Sequence, residues 1–283
     1  MAPKVWLITG SSSGFGRIMT ELVLENGDIC VATSIEPTAL SDLFPKYGKE
    51  RLRLVNTDVT QVDEVALAFS VAEQAFGHVD VVFNNAGVLL AAEVEGTPED
   101  RAKDLFDVNF WGNANVLREA VRFFREVNGP ERGGKLIQVT SCAGISTWPT
   151  LGYYAASKHA MEALARTIVL EVQPEWNIQI MLVEPGFMRT PMLNFEFHNK
   201  LAPIPAYATP AAEQTRADMV GERIKGDPQK AMELVHKVAQ REKLPLHLPI
   251  GADAVDLIQE QVAELTRALD EWGSIVKDVV FAE

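Results

Sequence analysis

Cysteine is scarce: only Cys30 and Cys142 occur in 283 residues. Cys30 falls in an apolar run expected to be a buried strand, so no disulfide framework is expected, and free thiols suit a reducing compartment. Positive charge is also short. The 26 Lys and Arg face 39 Asp and Glu, a net charge of −13. Polyanion binding needs a concentrated basic surface, so a nucleic-acid partner is not expected; the acidic surplus reads as solubility. No apolar run approaches the roughly 18 residues of a membrane helix, and Val5–Ile8 is too short for the apolar stretch of a signal peptide. The expectations are no membrane partner and a cytoplasmic location. The five histidines, His78, His159, His198, His236 and His247, show no metal-ligand spacing. No metal is expected, and surface or packing roles are assigned to all five.

What is present is an alternation of short apolar runs and helical stretches. Strands are predicted at Val5–Ile8, Ile29–Thr33, Arg51–Asn56 (near an edge), Val79–Phe83, Lys135–Thr140 and Ile178–Val183. Helices are predicted at about 14–26, 62–76, 97–127 and 151–173. Thr97 is the expected N-cap of the third of these, and Val62, Val65, Leu67, Phe69, Ala72 and Phe76 make one broad apolar face of the second. This pattern predicts an α/β fold, a Rossmann-type doubly wound parallel sheet with helices on both faces. After about residue 190 the pattern changes. Residues 191–215 read as a short helix and a long loop. A helix at about 227–241, a seventh strand within 244–250 and an amphipathic helix at 252–274 follow. The whole chain, 1–283, reads as a single domain: a core over about 4–190 and a substrate-covering extension over about 191–283.

Thr9-Gly10-Ser11-Ser12-Ser13-Gly14-Phe15-Gly16 closes the first strand and opens the first helix. Gly10 permits a sharp turn. Gly14 and Gly16 are expected to let a pyrophosphate approach the helix N-terminus, whose unpaired N–H groups and partial positive charge favour it. Asn84-Asn85-Ala86-Gly87 ends the fourth strand and either braces the sheet edge or borders a ribose. Asp58 either accepts from an adenine amino group or caps the next turn.

Tyr154 and Lys158 stand four residues apart on one predicted helix and share a face. A fixed ammonium near a phenol favours the phenolate, and the expectation is a phenol brought close to physiological pH. Tyr153, the rival, has Ser157 at the same spacing. Ser141 ends the fifth strand at the carboxyl edge, where open α/β sheets bind ligands, and its hydroxyl can donate to an oxyanion. Asn109 sits in mid-helix between bulky apolar residues and either serves the site or bonds its own helix backbone.

These motifs resemble the short-chain dehydrogenase/reductase family. The matching residues are Thr9-Gly10-x-x-x-Gly14-x-Gly16, Asp58, Asn84-Asn85-Ala86-Gly87, Asn109, Ser141, Tyr154-x-x-x-Lys158, Pro185-Gly186 and Thr190, over about residues 4–190. The resemblance implies an NAD(P)(H)-dependent oxidoreductase that interconverts a carbonyl and an alcohol. It implies Tyr154 as general acid/base, Ser141 orienting the carbonyl, and Lys158 binding the nicotinamide ribose and tuning Tyr154. It further implies that Asn109 supports a relay water, that Thr190 contacts the nicotinamide end, and that the helices at 98–127 and 151–173 pair in a homodimer or homotetramer. The expected coenzyme-binding set is Gly10, Ser12, Ser13, Gly14, Phe15, Gly16, Ser34, Ile35, Asp58, Val59, Asn85, Ala86, Gly87, Tyr154, Lys158, Pro185, Gly186, Met188 and Thr190.

Coenzyme choice is expected at Thr33-Ser34-Ile35-Glu36. Family members using NAD usually carry an aspartate where Ser34 stands; those using NADP usually carry a basic residue at Ile35 or Ser13. Ser34 leaves room for a 2′-phosphate, and the reading leans to NADP(H). Glu36 either replaces the aspartate or faces solvent. Trp148, Phe187, Met188, Met192, Leu193, Phe195 and Phe197, with Leu89, Leu90 and Glu93, are expected around the mouth, which suits an apolar or aromatic small-molecule substrate. Within that set, Trp148, Phe187 and Met192 join Ser141 and Tyr154 as expected substrate contacts. The alternative is a catalytically silent dinucleotide-sensing regulator, whose signature would be loss of Tyr154, Lys158 or Ser141; all three are present.

Overall fold

The computed structural model describes residues 2–193, 201–219, 223–277, 279 and 281. Seven parallel strands form one sheet in the order β3-β2-β1-β4-β5-β6-β7. They are β1 (Val5–Thr9), β2 (Ile29–Ser34), β3 (Leu52–Asn56), β4 (Val81–Asn84), β5 (Gly134–Val139), β6 (Ile178–Pro185) and β7 (His247–Ile250). Alternation along β1 sends Trp6 and Ile8 into one core and Val5 and Leu7 into the other, so both faces of the sheet are covered. The strand order reverses between β1 and β4, and ligands in such sheets bind outside the carboxyl ends of the strands at that point.

Among the described residues, the α-helices of eight residues or more are α1 (Gly14–Glu25), α2 (Phe44–Arg51), α3 (Val62–Phe76), α4 (Glu99–Phe106), α5 (Asn113–Phe123), α6 (Gly152–Glu171), α7 (Pro210–Asp218), α8 (Pro228–Ala239) and α9 (Ala252–Val276). Three expectations change. Thr97 does not cap α4: Pro98 holds the cap position, and the Thr97 hydroxyl donates to the Glu93 carbonyl at 2.8 Å. On α3, Val65, Ala68, Phe69 and Ala72 are buried, whereas Val62 and Leu67 face solvent, because the buried stripe is narrower than the apolar one. The stretch expected as one helix over 97–127 is α4 and α5 joined by a π-helical turn, Asp107–Gly112, with a second such turn at Phe124–Asn128. Beyond β6, turns at Pro191–Leu193 and Pro205–Tyr207 precede α7. The aromatic residues Phe195 and Phe197, and His198, lie outside the described residues.

Asp227 caps α8 by accepting from the Gln229 and Lys230 amides. α9 begins against β7 and leaves the body: of its 25 residues only Ala254 is buried.

Candidate active site

The glycine loop is shaped by three different demands. Gly10 has φ +64, and a Cβ there would lie 2.9 Å from the Ala86 Cα. Gly14 has φ +53 and opens toward Thr190, whose Cβ would be 3.6 Å away. Gly16 corrects an expectation: a Cβ would strike the Gly10 carbonyl oxygen at 2.2 Å, and the residue does not line the cleft. Its smallness serves loop–helix packing instead. Ser13 makes no side-chain cap at the N-terminus of α1, so that helix end keeps its N–H groups for a ligand.

The loop opens on a cleft lined by Gly10, Ser12, Ser13, Gly14, Phe15, Ser34, Ile35, Asp58, Val59, Asn85, Ala86, Gly87 and Thr190, among others. Asn85 and Ala86 donate their amides to the Thr9 hydroxyl at 2.9 and 3.0 Å, and the Asn85 amide side chain donates to the Thr9 carbonyl at 3.0 Å. This brace holds β4 to β1 where the strand order reverses. One Asp58 oxygen accepts from the Thr60 amide and hydroxyl at 2.9 and 2.8 Å, which is the capping role, while the residue still lines the cleft. Ser34 is buried and accepts from the Glu36 amide at 2.9 Å; Ile35 is exposed. Glu36 is exposed and does not line the cleft. Arg17 is engaged by Glu21, Asp42 and the Ala39 carbonyl.

A second cavity holds Ser141, Tyr154 and Lys158 together. It shares Phe15, Asn85, Thr190 and Met192 with the first cleft, so the two are continuous. Trp148, Phe187, Met188, Met192, Leu89 and Leu193 line it, along with Pro185 and Gly186. Trp148 and Phe187 meet edge to face with centroids 5.8 Å apart. Leu90 and Glu93 do not line it: Leu90 is packed in the core beside it, and Glu93 pairs with Arg216 at 2.6 Å. Tyr153 stays outside the cavity.

Ser141, with extended backbone, accepts from the Ala143 amide at 3.1 Å and donates to the Pro185 carbonyl at 3.4 Å. The Lys158 Nζ lies 5.7 Å from the Tyr154 ring centre. Burial pushes the phenol up to about 12, against an opposing hydrogen bond from Ser141, and pushes the Lys158 ammonium down to about 8, against the attraction of Glu162. This reverses the expected sign for Tyr154. The expectation weighed only the attraction of a nearby ammonium, whereas both groups are more than nine-tenths buried and desolvation outweighs it. The same burial raises the Cys142 thiol, which lines the cavity, to about 12, so it behaves as a small hydrophobe.

Asn109 is wholly buried in the π-helical turn and does not bond its own helix. It grips Val88 by both backbone groups, accepting from the amide at 2.8 Å and donating to the carbonyl at 2.9 Å, and donates to Ser157 at 3.2 Å. Sequence reading missed the network beneath it. Asn84 donates to Gln138 at 2.7 Å, Gln138 to Asn113 at 2.9 Å, and Asn113 to the Ala86 carbonyl at 2.8 Å. It also missed Asp253, which accepts from the Phe187 amide at 2.7 Å, and Met219, which closes the apolar wall. A buried amide in an apolar strand was a visible signal for Gln138; nothing local marks Met219.

Residues 4–201 match the family described as short chain dehydrogenase. The chain belongs to that family. An uncharacterized oxidoreductase from Schizosaccharomyces pombe is 35% identical over 93% of this chain and 87% of its own length. A short-chain dehydrogenase structure from Streptomyces avermitilis superposes with a TM-score of 0.84 at 31% identity, over 99% of this chain and 100% of that one. A short chain dehydrogenase/reductase from Burkholderia phymatum in complex with NAD gives a TM-score of 0.78 at 23% identity, over 93% and 95% of the two chains, which speaks for the shared fold.

Proposed function

We propose that this oxidoreductase uses a nicotinamide dinucleotide to interconvert a carbonyl and an alcohol on a small apolar or aromatic substrate. The observation that carries this reading is the convergence of Ser141, Tyr154 and Lys158 on one apolar-walled cavity that runs into the glycine-loop cleft. The positive-φ glycines, the uncapped N-terminus of α1 and the run of cleft-lining residues from the glycine loop to Asp58 and Gly87 fit a dinucleotide. When bound, that group supplies or accepts the hydride.

The chain's own residues do the rest. The Tyr154 phenol keeps its proton at neutral pH and can pass it to a carbonyl oxygen. Ser141, its Oγ already accepting from Ala143, turns its own proton toward the same oxygen. The Lys158 ammonium holds a ribose hydroxyl and attracts the developing phenolate. Asn109 fixes the Val88 loop beside the coenzyme cleft. Trp148, Phe187 and Met192 wall off water from the substrate.

The choice of NADP(H) over NAD(H) rests on Ser34 and Ile35 lining the cleft while no carboxylate from that loop does. Arg17 is committed to acidic partners and offers the 2′-phosphate little. Dissociation constants for both coenzymes test this choice. The single-domain reading rests on the one continuous sheet, and the cytoplasmic one on two buried free thiols. Among the described residues no helix is long and apolar enough to cross a membrane. Self-assembly as a homodimer or homotetramer is supported by exposed Trp111 and Leu170 and by the apolar stripe of α9.

The deciding experiment screens ketones and alcohols against both coenzymes by the absorbance of reduced nicotinamide, with Tyr154→Phe alongside. We expect turnover to fall at least roughly 10²-fold in the variant while coenzyme still binds. Unchanged turnover would remove Tyr154 from the chemistry.

A further inference from the structure

Glu162 on α6, Glu184 on β6 and His247 on β7 bring one donor atom each to within 4.8 Å of one another. Nothing in the chemistry above uses them. Glu162 is 4% exposed and Glu184 0%. One oxygen of each is satisfied: Glu162 Oε1 accepts from the Thr140 hydroxyl at 2.5 Å, and Glu184 Oε1 meets His247 Nδ1 at 2.5 Å. The second oxygen of each, Glu162 Oε2 and Glu184 Oε2, is buried with no hydrogen-bond partner among the described residues. A buried carboxylate oxygen left unpaired costs free energy, and two in one cluster call for a ligand. Arg166 attracts both groups electrostatically without donating to either unpaired oxygen.

We propose that Glu162, Glu184 and His247 hold a divalent first-row cation, of which Mn²⁺ and Zn²⁺ are the types. Two carboxylates and an imidazole, with no thiolate, are the donors such ions take. Three protein donors leave further positions for water. Donors held about 2.1 Å from one ion lie at most about 4.2 Å apart, so small side-chain rotations close the site. His247 stands on the outer strand with its side chain 41% exposed, which gives the ion a way in. The ion touches neither coenzyme nor substrate; it props the wall that carries the catalytic residues. Thr140 precedes Ser141, Glu162 follows Lys158 by one helical turn, and Glu184 precedes Pro185, whose carbonyl accepts from Ser141.

The test reads metal binding and thermal stability, so it stands or falls apart from the enzyme reading. Full-length protein is stripped with a chelator, dialysed, and titrated with Mn²⁺ by calorimetry and by electron paramagnetic resonance of the free ion. One ion per chain and a raised thermal midpoint are expected. Glu184→Gln and His247→Ala should each weaken binding by more than the about 10–100-fold typical of a lost outer-shell partner, and Asp270→Asn on exposed α9 should leave it unchanged. If Glu184→Gln does not fold, His247→Ala decides, because that side chain is half in solvent. Absence of saturable binding of Mn²⁺ and of Zn²⁺ by the wild-type chain would overturn the site and leave the two carboxyl groups sharing a proton. Equal binding by wild type and His247→Ala would overturn it too.

Discussion

Lys158 carries a charge that burial opposes. Its ammonium pKa is lowered from 10.5 to about 8, so the folded protein releases this proton earlier than the unfolded chain does. Between about 8 and 10.5 the unfolded chain binds more protons, and this residue's contribution to stability therefore rises with pH across that window. Binding of the proposed coenzyme should move the opposite way. An ammonium donates a stronger hydrogen bond than a neutral amine by about 1 kcal/mol, so affinity should fall about fivefold between pH 7 and pH 9.5. Fluorescence titration with reduced coenzyme at the two pH values reads this, and Lys158→Gln should show a weaker but flat profile. A wild-type profile as flat as the variant's would mean that this ammonium does not hold the coenzyme. The spacing of Tyr154 and Lys158 was legible in the sequence because i, i+4 geometry is local. Their proton affinities were not, because burial arises from α6 packing under distant segments such as Leu89 and Phe187.

At the scale of elements, the π-helical turn Asp107–Gly112 widens the helix where Asn109 must reach sideways to the loop after β4. Such bulges gather at functional sites. Gly112 belongs to the same device, since a Cβ there would press on a Val59 methyl at 2.6 Å. Asn109→Ala orphans the Val88 amide and carbonyl together. Val88 is partly exposed, so the net value of about 0.5–1.5 kcal/mol for each of the three hydrogen bonds removed applies; urea denaturation should show a loss of at least about 1 kcal/mol, with turnover reduced as the Val88 loop loosens. A stability loss below that would show that water or another side chain takes over the grip. The strands and their parallel sense were readable from buried apolar runs, and the longer helices from their periodicity and end signals; the strand order and the short α2 were not read. The π-helical turn was not, because the residues around Asn109 suit an ordinary helix and only the tertiary bonds to Val88 select the wider one. The same holds for Thr97, whose hydroxyl was expected at the helix start and is drawn back to Glu93.

At the scale of the whole molecule, α9 sets the unsolved balance of forces. Ile258, Val262, Leu265, Leu269, Trp272 and Val276 recur in alternating steps of four and three, the spacing of a helix-pairing seam. Val262, Leu265, Leu269 and Trp272 are each more than half exposed, so the body of the chain does not cover the seam. A chain of net charge −13 repels its own copies, yet Gln259, Gln261, Thr266, Ala268, Gly273 and Ile275 beside the seam are uncharged, and the acids Glu260, Glu264, Asp270 and Glu271 stand off it. That arrangement removes repulsion where two copies would meet, which supports the proposed self-assembly. Light scattering at micromolar concentration should give a dimer or tetramer for the wild type. Leu265→Glu with Leu269→Glu should lower the assembly by one step, tetramer to dimer or dimer to monomer, without changing helix content by circular dichroism. A wild-type monomer would overturn the self-assembly reading, and a double variant of unchanged mass would place assembly elsewhere, with exposed Trp111 in the π-helical turn and Leu170 on α6 the faces to alter next.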